Sequence, residues 1–554
     1  MIPCNNLALS AIIVTTLASC EGGNLIETVG QWTVYEITLQ SDHSYDNPYT
    51  EVDLYAVFTD EKGAEIRRPG FWDGGNTWKI RFAPPEPDHT YSWETTAPAD
   101  DAGLNGITGK VFSRPYRGDN ALLKKGLLTM SPGKRNVVHH DGSPFLLVGD
   151  TPWALPFRGT AEAVKTYAAD RQEKGYNAVL LMTVQPDQNA EGPDNRDEDG
   201  GFGRGFLDLK DGHLNQLNPE YFQQLDELLH ILHEHEIVPV LQPVFQGFGW
   251  KGLNALGRNA VPEEYERYTK YLLARYGAMP VMYLVSADGN GKEPGIRETG
   301  RMLEEWDGYH QPRGIHYSPA DDYVPGWYSG EPDDFYMHHN RSYQEDSWLD
   351  FQWCQTGHDG KHLLHKVEKM YHTEPTKASA NGEPTYERIG SPDKATGWWQ
   401  GHEAWSQLMS GGTMGVVYGA AGLWNWKIRT EEPGFDDWST TEASWEEAIR
   451  FEGSAYPGLL GKALKGYNIT DMELGHHLTN GKKLLVKEGS FYASYLPEGG
   501  TIQVRELKEG LPVVFFNPRT GERVENGKVT SPTQSFEAPD GNPWVLLIGN
   551  KRDN

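Results

Sequence analysis

Residues 218–244 read NPEYFQQLDELLHILHEHEIVPVLQPV, and a change of period inside this stretch decides the fold. Asn218 stands where a helix N-cap belongs, and Pro219 fills the first helical position. Phe222, Leu225, Leu228, Leu229 and Leu232 then recur on one face at a spacing of three and four. From Val238 to Val244 the run turns apolar without alternation, as a strand covered on both faces requires. An amphipathic helix that delivers a doubly buried strand is half of a βαβ unit. His230, His233 and His235 read as the solvent face of this helix rather than a zinc site.

The same unit repeats in both directions. Upstream, a strand is predicted over residues 145–150, a helix over 161–174 and a second strand over 176–182. Downstream, a helix over 263–276 ends at Gly277 and feeds a fourth strand over 281–288. Further strands are predicted at 314–318, 349–354, 377–383 and 415–426. Eight strands, six of them followed by helical segments across roughly 300 residues, have the size and order of a (β/α)8 TIM barrel. Outside this block the pattern is all strand. Val34–Leu39 and Val52–Phe58 alternate, Trp72-Asp73-Gly74-Gly75-Asn76-Thr77-Trp78 reads as a tight turn, and Phe491–Leu496 and Val513–Phe516 belong to a second β block. The expected organisation is multidomain α/β and β: a leader over 1–20, an N-terminal immunoglobulin-like β-sandwich over 25–115, the barrel over 120–461 and a C-terminal β-sandwich over 462–551.

A formal net charge of −28 over 554 residues repels phosphate backbones and anionic lipid, which excludes nucleic acid as a partner. Eighteen tryptophans and 27 tyrosines offer flat rings suited to sugar C–H faces, most of them needed for cores. The three cysteines provide neither a disulfide framework nor a cysteine metal site, and neither a metal nor a cofactor is expected. The apolar run from Leu7 to Leu17 ends in Leu17-Ala18-Ser19-Cys20, which resembles a bacterial lipobox with Cys20 as the acylated residue. Its n-region carries no Lys or Arg. The expectation is an exported lipoprotein, periplasmic or outer-membrane-anchored, that touches the membrane only through its lipid. The sequence leaves the oligomeric state open.

Barrel enzymes place their chemistry at the C-terminal ends of the strands. Those ends supply Asp150, Gln185, Asp187, Gln242, Gln246, Asp288, Asn290, His358, Glu383, Tyr386, Glu387, Trp424, Asn425 and Trp426. Glycosidic bond cleavage needs one carboxyl group to protonate the leaving oxygen and another to support charge at the anomeric carbon. Asp288 on the fourth strand and Glu383 on the seventh can converge across a narrow barrel mouth. As substrate-binding residues, Asp150, Trp153, Arg204, Gln242, Asn290, His358, Tyr386, Trp424 and Trp426 are expected. Asn195-x-Asp197-x-Asp199-Gly200 begins like a calcium loop, but Phe206 replaces the acid at its twelfth position.

Gly149-Asp150-Thr151-Pro152-Trp153, Tyr176-Asn177, Asn218-Pro219-Glu220-Tyr221-Phe222 and Asn381-Gly382-Glu383-Pro384-Thr385-Tyr386-Glu387 resemble the apiosidase-like bacterial glycoside hydrolases (family 140-like). Arg81-Phe82-Ala83-Pro84-Pro85 resembles that family's N-terminal sandwich. Phe516-Asn517-Pro518-Arg519-Thr520-Gly521 resembles its collagen-binding-like C-terminal domain. The resemblance implies a retaining hydrolase of complex plant or algal polysaccharide, pectic side chains among them, with Glu383 as nucleophile and Asp288 as acid/base. The wider superfamily has Asn-Glu after strand four, whereas this chain has Ser286-Ala287-Asp288. Two alternatives stay open at this level: a non-catalytic surface glycan-binding lipoprotein, and an adhesion protein suggested by the C-terminal likeness.

Overall fold

The computed structural model describes residues 26–186, 203–247, 256–289, 291–318, 342–358, 360, 362–389, 396–430 and 443–552, together with a short strand at Val14–Thr16. Cys20, Asp187, Asn290 and the Asn195–Gly200 run lie outside the described residues.

The centre of the chain is an eight-stranded, all-parallel, barrel-like sheet. Its strands in order are Leu147–Asp150, Ala178–Met182, Val238–Gln242, Met282–Gly289, Arg313–Tyr317, Phe351–Gln355, Ala378–Glu383 and Gly415–Tyr418. Strand one pairs with strand eight, Leu147 opposite Gly415. Between strands seven and eight the backbone bonds Met414 N–H to Ser379 O, Glu387 N–H to Gly419 O and Ala421 N–H to Glu387 O bring the two ends together. Nearly every strand residue is buried, which is why the sequence shows continuous apolar runs rather than alternation.

Helices follow the strands at Ala161–Lys174, Pro219–Glu234, Pro262–Tyr276, Ile296–Trp306, Leu364–Tyr371 and Trp398–Leu408. The helix at 219–234 starts as expected, but Asn218 does not cap it with its side chain. Its Nδ2 instead donates to the Arg204 carbonyl at 3.1 Å, tying down the returning loop. His233 is buried rather than solvent-facing: its Nε2 meets the Pro280 carbonyl at 2.8 Å, and burial pushes its pKa down to about 4. Several strands are shorter than predicted, the first, second, third and eighth among them. Pro144–Phe145 leaves the first barrel strand for a three-stranded sheet with 128–130 and 137–139. Strand eight stops at Tyr418, because the Gly-Ala-Ala-Gly that follows turns at Gly422 (φ +79°).

The N-terminal block is sheet-rich. Tyr35–Gln40 pairs with Thr77–Phe82, and Tyr55–Thr59 lies between Glu65–Trp72 and Thr90–Thr96. The long strand Glu65–Trp72 joins the two sets, pairing with 55–59 through its first half and with 78–80 through its second. Ile37, Phe58, Ile80, Phe82, Trp93 and Val111 fill its core, with Phe58 stacked on Phe82 at 4.0 Å. The turn at 73–77 closes as read, Gly74 and Gly75 both taking positive φ. In the C-terminal block a six-stranded sheet shares one core with a two-stranded sheet. Ile502, Val504 and Phe536 of the pair pack with Leu496, Val513, Phe515, Leu546 and Ile548.

Candidate active site

Strand four is irregular around Asp288. Its pairing with strand five slips between Leu284 and Ser286 and again between Ala287 and Gly289. Such irregularities re-aim side chains. Asp288 takes φ +56°, a conformation that a non-glycine residue adopts at a cost. Gly247 leaves room for its side chain, since a Cβ there would meet the Asp288 Cβ at 2.8 Å.

On strand seven each residue of Asn381–Glu387 has a distinct task. Asn381 donates to Thr356 Oγ1 at 2.8 Å and accepts the Glu383 N–H at 3.2 Å, which fixes the strand end. The Thr385 backbone and hydroxyl both donate to Glu403. Glu387 accepts from the N–H of Gly397 and Gly453 and from the Tyr418 hydroxyl, so it braces loops behind the site. Glu383 alone faces forward. Its Oε1 lies 3.0 Å from His358 Nε2, and the other ring nitrogen of His358 lies 3.0 Å from the Pro384 carbonyl and 3.2 Å from the Tyr386 backbone nitrogen, which holds the ring against Glu383. Trp153 Nε1 donates to the Tyr386 hydroxyl at 2.9 Å, which holds the phenol beside Glu383. Burial pushes the Glu383 pKa up to about 8, against the pull of the Tyr386 and Gln355 donors.

A third side chain joins the two acids. His316 of strand five stands in register with Ala287, beside Asp288. Asp288, His316 and Glu383 each bring one nitrogen or carboxyl oxygen within 4.8 Å of the others. The His316 ring is fully buried and stacks on Trp153 at 6.0 Å, and burial lowers its pKa to about 3, so it is neutral at any working pH. Two carboxylates and a neutral imidazole are also a donor set for a divalent cation, but His316 Nδ1 lacks the outer partner that usually orients a metal-bound histidine.

Of the other expected site residues, Trp153, His358 and Tyr386 stand around Glu383 as described. Asp150 is fully buried and committed elsewhere: Oδ2 accepts from Tyr167 Oη at 2.6 Å and Arg171 Nε at 2.5 Å, and Oδ1 from the Thr151 N–H. Gln242 is likewise buried, its amide donating to the Val244 and Ala287 carbonyls and to Gln246, which links strands three and four. Trp426 stacks on Trp445 at 4.7 Å and meets Tyr167 edge-on, inside a core. Trp424 is buried, with its carbonyl accepting the Ala154 N–H. Arg204 is half-buried beside the Asn218 amide. Sequence reasoning missed His316. The only signal was a polar residue inside an apolar strand, at a position that pattern reading put two residues short of the strand end.

Against known proteins, the model of the apiosidase-like catalytic domain matches residues 131–471, and a domain of unknown function, DUF5060, matches 28–98. The curated proteins give no match. Among solved structures, a glycoside hydrolase family 5 protein from Bacteroides vulgatus superposes with a TM-score of 0.61 at 18% identity, over 77% of this chain and 94% of that one. Another Bacteroides vulgatus glycoside hydrolase gives 0.66 at 15% identity, over 94% and 99%. A further glycoside hydrolase gives 0.60 at 16%, over 78% and 98%. At these identities the superpositions establish the shared fold. The family match covers more than half of the chain and the whole of the barrel that carries Asp288, His316 and Glu383, so the protein belongs to the apiosidase-like glycoside hydrolases.

Proposed function

We propose that the chain is a retaining glycosidase in which Glu383 is the nucleophile and Asp288 the acid/base. The supporting observation is proximity. Retaining enzymes hold their carboxyl groups about 5–5.5 Å apart, whereas inverting ones need roughly 6.5–9.5 Å to admit a water. An oxygen of Asp288 and one of Glu383 within 4.8 Å of each other leave no such room. In the first step Glu383 attacks the anomeric carbon while Asp288 gives its proton to the departing oxygen, forming a glycosyl ester. In the second, Asp288 takes a proton from water, the water oxygen bonds to the anomeric carbon, and Glu383 departs as carboxylate. The neighbouring Tyr386 and Gln355 side chains favour the ionised form needed for attack and for departure.

The substrate we infer is a complex plant or algal polysaccharide, with pectic side chains favoured by family membership and Arg204 available to an anionic unit. Export through the Leu7–Cys20 leader, with Cys20 acylated, fits an enzyme that meets such polymers outside the cytoplasm. The test is a screen of wild type and Glu383→Gln against pectic and algal oligosaccharides, reading the anomer first released by NMR. A loss of at least about 10³-fold in the variant is expected, with retained anomeric configuration in the wild type. Wild-type rates in Glu383→Gln would sink the mechanism, and an inverted product would sink retention.

A further inference from the structure

The two carboxyl groups account for bond cleavage and leave His316 unexplained. Its ring is fully buried, yet neither nitrogen has a hydrogen-bond partner among the described residues. Buried polar nitrogens are nearly always paired, so two bare ones in one ring call for a partner that the described residues do not supply. The ring is also held firmly. Trp153 stacks on one side, and Gly382 approaches so closely that a Cβ there would meet His316 Cδ2 at 2.7 Å. A side chain merely filling core space would not be both this constrained and this unsatisfied.

The direction of the ring identifies what it lacks. His316 Nε2 lies 3.9 Å from Glu383 Oε2, which is buried and likewise without a hydrogen-bond partner among the described residues, while Oε1 lies 3.0 Å from His358 Nε2. That gap is too long for a direct hydrogen bond. A single oxygen atom placed between them can bond to both at ordinary length. We propose that His316 is a substrate-binding, specificity-determining residue, holding the sugar hydroxyl next to the anomeric carbon and sharing it with Glu383 Oε2. The inference rests on the reading of Glu383 as nucleophile, which puts the anomeric carbon against that carboxyl group. Only the ring oxygen and the adjacent hydroxyl of the sugar then come within reach of both atoms. Of these, only the hydroxyl can accept from the imidazole N–H while donating to the carboxylate. A neutral imidazole suits this task, since it adds no charge beside the carbon where positive charge develops. Sugars without that hydroxyl, or with it substituted, are therefore poor substrates.

The test is a cycle of two changes. Wild type and His316→Ala are assayed on the 4-nitrophenyl glycoside of the sugar best released in the oligosaccharide screen, and on its 2-deoxy counterpart. Intrinsic differences in reactivity cancel in the ratio of ratios. We expect His316→Ala to lose about 10- to 100-fold in kcat/KM on the hydroxylated substrate and less than about 3-fold on the deoxy one. His316→Gln, which keeps a donor and an acceptor, recovers part of the loss and is read by the same ratio if the alanine variant does not fold. Equal losses on both substrates, or none on either, would overturn the proposal. Glu383→Gln in the same assays reports separately on the nucleophile: activity surviving there fails the mechanism, whatever the His316 variants do.

Discussion

At the residue scale, Glu383 carries a conflict between function and stability. Burial raises its pKa from 4.5 to about 8, so in the empty site it holds its proton across the neutral range. As the proposed nucleophile it must lose that proton, and kcat/KM should rise with pH through about 8; a general acid in its place would give a fall over the same range. A pH profile with substrate well below KM separates the two. The same shift acts on folding. Below pH 4.5 the group is protonated both folded and unfolded and costs nothing. Between 4.5 and 8 the unfolded chain releases the proton while the folded chain keeps it, so stability falls as pH rises. The full shift is on the order of 5 kcal/mol. Glu383→Gln should therefore raise the thermal unfolding midpoint by several degrees at pH 8 and leave it nearly unchanged at pH 4.

At the scale of elements, the end of strand one illustrates how a site motif can be structural. Asp150 and Arg171 form a fully buried ion pair between the strand and the helix at 161–174, with the Tyr167 hydroxyl completing it. Removing one member strands the other charge in the interior, at a cost of about 3–5 kcal/mol. Asp150→Asn should lower stability by that order in chemical denaturation while leaving KM within a few-fold of wild type. A large KM effect with unchanged stability would instead place Asp150 on the substrate. On strand seven, Gly382 is the element's contact with its neighbours. Gly382→Ala puts a methyl group 2.7 Å from His316 and 2.8 Å from Trp353, and should cut kcat/KM by about tenfold or more through the displaced ring.

At the scale of the whole molecule, buried neutral imidazoles set the acid limit. His316 is held down to a pKa of about 3 and His233 to about 4, both by burial. Their stabilising contribution is complete above the ordinary histidine value of 6.5. It is lost as pH falls from there towards 3–4, because the unfolded chain takes up protons that the folded chain refuses. Unfolding free energy should thus decline steadily below pH 6.5, and His233→Gln, which keeps a donor for the Pro280 carbonyl, should flatten that decline. Glu383 pushes in the opposite sense above pH 4.5, so the two slopes together predict a shallow optimum in the mildly acidic range.

The sequence by itself determined the strand–helix alternation of the barrel, since burial on both faces imposes continuous apolar runs and burial on one imposes the 3.6-residue stripe. It also placed Glu383, because a strand-end acid within Asn381–Glu387 carries its local context with it. Only the tertiary structure could sort the polar residues at the strand ends. Asp150 and Gln242 occupy the same kind of position as Glu383, yet their side chains are taken up by Arg171 and by backbone carbonyls, partners distant in sequence. His316 is the converse case. Nothing next to it in the chain marks it, and its meaning comes from a register slip in strand four, a glycine on strand seven and a tryptophan after strand one, which meet only when the barrel closes.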